Sequence, residues 1–130
     1  MFLIEDENNN QFGYYLSTQI DVNNNAQWIP TDENSFLFSL KSNGRINQMM
    51  KFEILDTTQS HMTYDENHPY LIHLGGQQSD IVLKKKNEKQ TSYCYQDNQK
   101  YNFHGIRNSL TGKVNGSHFT PIRIMVIQMK

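Results

Sequence analysis

Short apolar runs separated by turn-forming residues constrain the fold of this chain more than any other feature of its sequence. Over residues 12–20, mostly apolar side chains alternate with small or polar ones, and residues 36–40 form a nearly continuous aromatic and aliphatic run. A period of two is typical of a β-strand with one buried face. Because no stretch shows a long amphipathic helical pattern, the sequence predicts a fold built from short strands.

The same pattern predicts several further strands, and the first of them is expected to form a hairpin with residues 12–20. These further strands are expected at residues 2–4, 50–54, 70–74, 81–83, 92–95 and 122–127. Only Arg123 is polar in the last of them, so we expect a central strand that is covered on both faces. Asn43-Gly44 and Asn115-Gly116 indicate turns, and Ile106 to Leu110 is compatible with one helical turn. The predicted fold is mostly β, an antiparallel β-sandwich with short helical turns.

Length and charge exclude several classes of protein. A chain of 130 residues is expected to form one domain over residues 1–130. Its formal net charge of −1 gives no basic surplus, so we expect no nucleic-acid partner. No apolar run approaches the roughly 20 residues of a membrane helix, so we expect no direct membrane insertion. The lone Cys94 cannot form an internal disulfide, which favours a reducing, cytoplasmic location; the sequon Asn115-Gly116-Ser117 is then read as a chance match.

The order of these segments resembles the TLDc domain, the module of the oxidation-resistance proteins. Phe12-Gly13-Tyr14 is similar to the Phe-Gly-Gly-Tyr segment of that family, and residues 36–40 are similar to its most recognisable strand. Further similar segments follow in the same order, at residues 74–76, 80–83, 90–93, 110–112 and 122–127. Arg123 and Met125 depart from the family, whose last strand usually carries acidic residues there. The family also has a further N-terminal region, so the resemblance implies an N-terminally incomplete TLDc-like domain.

The resemblance implies a non-enzymatic protein-binding module linked to protection against oxidative stress. It also implies binding to the vacuolar proton pump, the V-ATPase, or regulation of its assembly. An alternative is a structural or scaffold component of a large cytoskeletal or ciliary assembly, in which a neighbouring chain would complete a sheet by strand addition.

Tyrosines and lysines near one another in sequence are the candidate protein-binding residues. Tyrosine is common at protein interfaces, although these tyrosines could equally be half-buried residues of the sandwich. The lysines form a basic cluster that contacts either an acidic partner or RNA, or else lies in a solvated loop or at a guarded strand end. The candidates are Tyr93, Tyr95, Tyr101, Lys84, Lys85 and Lys86.

No motif in the sequence predicts a catalytic, cofactor or metal site. Cys94 lies between two tyrosines without an adjacent basic residue, so we expect a buried structural thiol. The spacing of His68 and His73 fits no common zinc pattern. Gly75-Gly76 lacks the lysine and helix of a phosphate loop and is expected to form a tight turn.

Overall fold

Ten β-strands account for the regular structure of the residues that the computed structural model describes. Those residues are 1–20, 22–23, 26–42, 46, 48–76, 81–86, 91–95, 99–112 and 117–130. The strands are β1 (Phe2–Asp6), β2 (Gln11–Tyr15), β3 (Phe36–Lys41), β4 (Met50–Glu53), β5 (His61–Thr63), β6 (Tyr70–Leu74), β7 (Ile81–Lys84), β8 (Ser92–Cys94), β9 (Ser117–Phe119) and β10 (Pro121–Val126).

Two antiparallel sheets of five strands each contain all of these strands. Sheet A has the order β10-β1-β2-β3-β4, and sheet B has the order β5-β6-β7-β8-β9. The predicted hairpin is confirmed, because β1 and β2 pair in a register that places Phe2 opposite Tyr14 and Ile4 opposite Phe12. The predicted antiparallel, mostly-β sandwich is therefore correct.

Aromatic and aliphatic side chains from the inner faces of both sheets form one core. Phe12 of sheet A and Phe119 of sheet B meet edge to face, with their ring centroids 5.3 Å apart. Such contacts add to the burial of apolar surface, which is the main source of stability in a sandwich. The other inward-facing residues include Ile4, Tyr14, Leu37 and Phe52 of sheet A, and Ile72, Leu74, Ile81, Leu83 and Cys94 of sheet B. The alternation over residues 12–16 thus corresponds to real burial.

Gly13 occupies a point where neighbouring backbones leave no space for a side chain. It lies on β2 opposite Leu3 of β1 and Phe38 of β3. A Cβ atom on this residue would lie 1.9 Å from the backbone oxygen of Phe2 and 2.7 Å from Cζ of Phe38. The close approach explains why a glycine interrupts an otherwise aromatic strand.

Two strands of sheet B lie where the sequence analysis predicted none. β5 lies in the polar stretch 56–67, and its buried residues His61 and Thr63 are themselves polar. β9 contains only three residues, Ser117–Phe119. Both strands are short and carry few apolar side chains, so they produce no legible period of two. Conversely, β2 ends at Tyr15 instead of continuing to Ile20, because Ser17 turns to hydrogen bond with Ser35, its backbone N–H lying 2.9 Å from that Oγ.

The prediction of a central last strand is wrong. β10 lies at the edge of sheet A and pairs with β1 alone among the described strands. Its apolar side chains Ile122, Ile124, Met125 and Val126 are exposed. A continuous apolar run usually indicates a strand covered on both faces, but here it marks an uncovered sheet edge.

The predicted helical turn at Ile106 to Leu110 is also wrong, since these residues form successive turns. Asn108 has a φ of 54°, which the right-handed helical conformation does not accept. The described residues contain no helix. The turns predicted at Asn43-Gly44 and Asn115-Gly116, and with the latter the sequon, lie outside the described residues, except for Ser117.

Candidate functional site

Tyr101 lies in the core, so its prediction as a binding residue is wrong. Its side chain is 1% exposed, and Ile54 pairs with it across an isolated bridge. Its hydroxyl donates a hydrogen bond to the hydroxyl of Tyr14 at 3.2 Å, and the Tyr14 hydroxyl lies 2.8 Å from Oγ of Ser60. A partner could reach this ring only if the sandwich opened.

The outer face of sheet B carries a cluster of tyrosine and histidine side chains. Ile81 and Leu83 of β7 point into the core, so the alternate residues Val82 and Lys84 point away from it. The strand register aligns His73, Val82, Tyr93 and His118 side by side across β6 to β9. Together with their neighbours these residues form what we call the aromatic face: Tyr64, His68, Tyr70, His73, Tyr93 and His118.

Several rings on the aromatic face contact one another. Tyr64 stacks on His68 with 4.2 Å between ring centroids, and Tyr70 lies 4.7 Å from His73. At the other end, Tyr93 meets His118 edge to face at 5.9 Å. These contacts hold the rings as a preformed surface, which lowers the entropy lost when a partner binds.

Burial among these rings keeps His73 uncharged at neutral pH. Loss of solvation, reinforced by the nearby His68 and Lys84, lowers the pKa of His73 from 6.5 to about 4. Burial also raises the pKa of Tyr64 and of Tyr93. The centre of the aromatic face is thus an apolar environment that disfavours charge.

The pKa of His73 predicts that acid weakens the fold. Between pH 6.5 and 4 the unfolded chain binds a proton at His73 that the folded chain rejects, so the free energy of unfolding falls as the pH drops. The decrease from this group is at most about 1.4 kcal/mol per pH unit. Urea unfolding at several pH values should show a shallower dependence for His73→Gln. His118→Gln, which removes an exposed imidazole, serves as control; equal slopes for wild type and His73→Gln would contradict the assignment.

The three predicted lysines differ in their surroundings. Lys84 belongs to β7 and is buried, with Nζ 3.9 Å from the centre of the Tyr70 ring, a cation–π contact. Nζ of Lys85 donates to the backbone oxygens of Asp65 and Glu66, both at 2.7 Å. Lys86 is exposed. All three line one groove of about 640 Å³ that also borders β10.

The structure brings some of the predicted binding residues together. Tyr93 is half-buried on the aromatic face, and Tyr95 follows it at 6.5 Å between ring centroids with 41% of its surface exposed. Lys84 lies on the same outer face of sheet B, while Lys85 and Lys86 continue from it into the groove. Tyr93 is thus half-buried, as one of the two alternatives predicted, whereas Tyr95 is exposed.

Sequence reasoning missed the histidines and the other tyrosines of the aromatic face. A bulge between Tyr70 and Ile72 shifts the register of β6. Tyr70 and His73 are three residues apart, which in a regular strand would place them on opposite faces. The alternation of residues in the sequence therefore does not predict that the rings of Tyr70 and His73 lie on the same face, because this depends on the bulge.

The residues that were considered for a catalytic, phosphate or metal site have structural roles. Cys94 is buried in the core, as predicted, with Sγ 3.5 Å from Oγ1 of Thr111. Gly75 has a φ of 85° and donates its N–H to the oxygen of Ser60, and the predicted turn continues into residues 77–80, which lie outside the described residues. Within the described ranges no group of three or more His, Cys, Asp or Glu side chains could hold a metal ion. The same residues include no helix that is long and apolar enough to cross a membrane.

Comparison with known protein families gives a match over most of the chain. The family model described as the TLDc domain matches residues 1–124 of the chain. No curated protein and no solved structure matches it.

Proposed function

This chain belongs to the TLDc domain family, and on that basis we propose that it is a protein-binding module without enzymatic activity. The observation that carries the proposal is the extent of the family match, residues 1–124, which spans β1 to β9 and most of β10. The match therefore rests on both sheets of the sandwich and not on one short motif.

The surroundings of the two most reactive side chains support a non-enzymatic role. The Cys94 thiol is packed in the core, where a substrate such as a peroxide cannot approach it. His73 is enclosed by aromatic rings that keep it neutral, and it serves as part of a surface. We therefore assign the family's protection against oxidative stress to binding of another protein in the cytoplasm.

The partner we propose is the V-ATPase, because family members bind this pump and alter its assembly. The contact surface consists of Tyr93 and Tyr95 with the lysines Lys84, Lys85 and Lys86. Half-buried and exposed tyrosines are strong anchors, since they bury a large area while losing few rotatable bonds. Lysines at the border of such a surface favour an acidic partner and speed association.

Replacing Tyr95 with alanine should weaken binding to the V-ATPase about tenfold, the loss expected of an exposed anchor ring. The ring is 41% exposed, so its removal should leave the melting temperature nearly unchanged. Biolayer interferometry with detergent-solubilised pump measures the affinity. Leu55→Ala removes an exposed apolar side chain that follows β4 of sheet A and is the matched control.

Three outcomes of this experiment separate the parts of the proposal. Absence of binding by the wild-type chain would reject the pump as partner. Equal binding by Tyr95→Ala and the wild type would reject the tyrosine surface. A larger loss for Leu55→Ala than for Tyr95→Ala would move the surface to sheet A.

The scaffold alternative has one observation in its favour, the open edge of β10. An edge with unpaired backbone groups can take up a strand from a neighbouring chain. In a scaffold, the strand that pairs with this edge would come from another copy of the chain or from a structural neighbour. The chemistry of the residues around the edge can distinguish between these two occupants.

A further inference from the structure

The free edge of β10 has its backbone groups oriented outwards. Met1 and Ile127 exchange two hydrogen bonds of 2.8 Å, N–H to oxygen in both directions. Hydrogen-bonded pairs alternate along an antiparallel ladder, so Met125 and Arg123 also point their backbone groups at β1. Ile124 and Val126 then direct their N–H and C=O groups away from β1, where no described strand pairs with them.

The side chains of β10 extend the core beyond the part that sheet B covers. Ile124 lies opposite Ile4, and Val126 lies opposite Phe2, so these pairs share the inner face of sheet A. Ile4 is fully buried, yet Ile124 is 36% exposed and Val126 is 65% exposed. An apolar inner face that remains open to solvent at a sheet edge is unfavourable in an isolated chain and is relieved when another strand covers it.

Cations line the groove beside this edge. Within the part of the chain that the structure describes, the charged residues that line it are Lys84, Lys85, Lys86 and Arg123, without a carboxylate. Among the described residues, no acidic side chain forms an ion pair with Lys85, Lys86 or Arg123. The apolar part of the lining includes Leu71, Ile122 and Ile124. The groove therefore combines an open strand edge, an apolar floor and a positive wall.

We propose that an extended acidic segment of another protein adds to β10 as a further strand of sheet A and fills this groove. Its alternate apolar side chains pack on Ile122 and Ile124, and its carboxylates approach Lys86 and Arg123. This inference rests on the proposed protein-binding function and adds to that function a second surface and a class of ligand. Main-chain hydrogen bonds supply affinity in such strand addition, and the side chains on alternate positions supply specificity.

Charge and shape favour this occupant over two others. Pairing of β10 with β10 of a second copy would bring two positively lined grooves together, and like charges at an interface cost free energy. Single-stranded nucleic acid binds through stacking on exposed aromatic rings. Phe119, the one aromatic residue among the described residues that line the groove, is 1% exposed, so these residues offer no such ring.

Ile124→Pro tests the strand addition directly. Proline removes the N–H that points to the open edge but no hydrogen bond to β1, so the sandwich should remain folded. Ile124→Ala is the matched control, since it removes the side chain and keeps the N–H. The probe is a fluorescent nine-residue peptide of alternating valine and glutamate, and fluorescence anisotropy measures its affinity. We expect Ile124→Pro to weaken binding about tenfold or more, and Ile124→Ala to weaken it about threefold.

Charge reversal tests the second half of the proposal. Lys86→Glu should weaken binding of the acidic peptide about fivefold, whereas Lys41→Glu, the same charge change on β3 away from the groove, should not. A valine–lysine peptide should not bind the wild-type chain. Equal affinity for the acidic and basic peptides would overturn the proposed chemistry, and equal losses for Ile124→Pro and Ile124→Ala would overturn strand addition.

Sedimentation and thermal melting complete the test. A wild-type chain that dimerises and becomes monomeric on Ile124→Pro would show that the occupant is a second copy, which overturns the proposal. If Ile124→Pro does not melt cooperatively, a valine–glutamate peptide carrying N-methyl groups on the valines replaces the variant; undiminished binding of that peptide would overturn the proposal. These results are separable from the proposed function, because Ile124 lies outside the surface of Tyr93, Tyr95 and the lysines, and Tyr95 is not among the residues that line the groove.

Discussion

Gly13→Ala should destabilise the protein by about 3 kcal/mol or more. The added Cβ would lie 1.9 Å from the backbone oxygen of Phe2, and a backbone atom cannot rotate away as a side chain can. β2 is flanked by β1 and β3, so relief of the clash requires the strands to separate on at least one side. Urea unfolding followed by tyrosine and tryptophan fluorescence measures the loss.

Gly105→Ala is the matched control for this substitution. Gly105 has a φ of 73° and no heavy atom within 4 Å of an added Cβ, so its only cost is backbone strain. That cost is about 1–2 kcal/mol for a residue other than glycine in the left-handed region. If Gly13→Ala proved no more destabilising than Gly105→Ala, this result would contradict the close approach of the β1 backbone to Gly13.

Tyr101→Ala should cost about 3–5 kcal/mol, as is usual when a fully buried aromatic side chain is truncated. The ring is 1% exposed, lies 6.3 Å from Tyr14 in an edge-to-face contact, and shares a hydrogen bond with its hydroxyl. Truncation therefore leaves a cavity where the sheets meet and removes a partner of Tyr14. Thermal and urea unfolding should both show the effect.

Tyr101→Phe separates the ring from the hydroxyl. It should cost only about 1 kcal/mol, since the Tyr14 hydroxyl still bonds to Ser60. Binding to the partner should match that of the wild type, because the ring is inaccessible. A loss of affinity in a stably folded Tyr101→Phe would restore this residue to the binding surface and contradict its placement in the core.

The alternation of apolar and polar residues predicted strands correctly where the buried face of the strand is apolar. Phe12 and Tyr14 illustrate this, since both are fully buried in the predicted hairpin. The prediction failed at β5, whose buried positions include His61 and Thr63. A period of two is visible in a sequence only when the buried residues of the strand are apolar. Polar residues that are buried by tertiary contacts do not produce this period.

The position of β10 could not be read from its own residues. Its apolar run fits either a central strand or an open edge that awaits a partner, and the choice depends on which strands pair with it. Tyr101 poses the same problem at the scale of one residue. The residues next to a tyrosine in sequence do not show whether it lies in a core or at an interface. The contact with Tyr14, which is far away in the chain, identifies Tyr101 as a core residue. The aromatic face likewise depends on strand register and a bulge.

The pairing of β1 with β10 sets the order in which the sandwich can be completed. Met1 and Ile127 are bonded across 126 positions of sequence, so β1 needs the strand that is synthesised last of the ten described strands. While the ribosome makes the intervening residues, β1 has β2 as its neighbour but lacks its outer partner. Non-local closure of this kind slows folding and prolongs the exposure of strand edges. Folding of sheet A is therefore completed only after β10 leaves the ribosome.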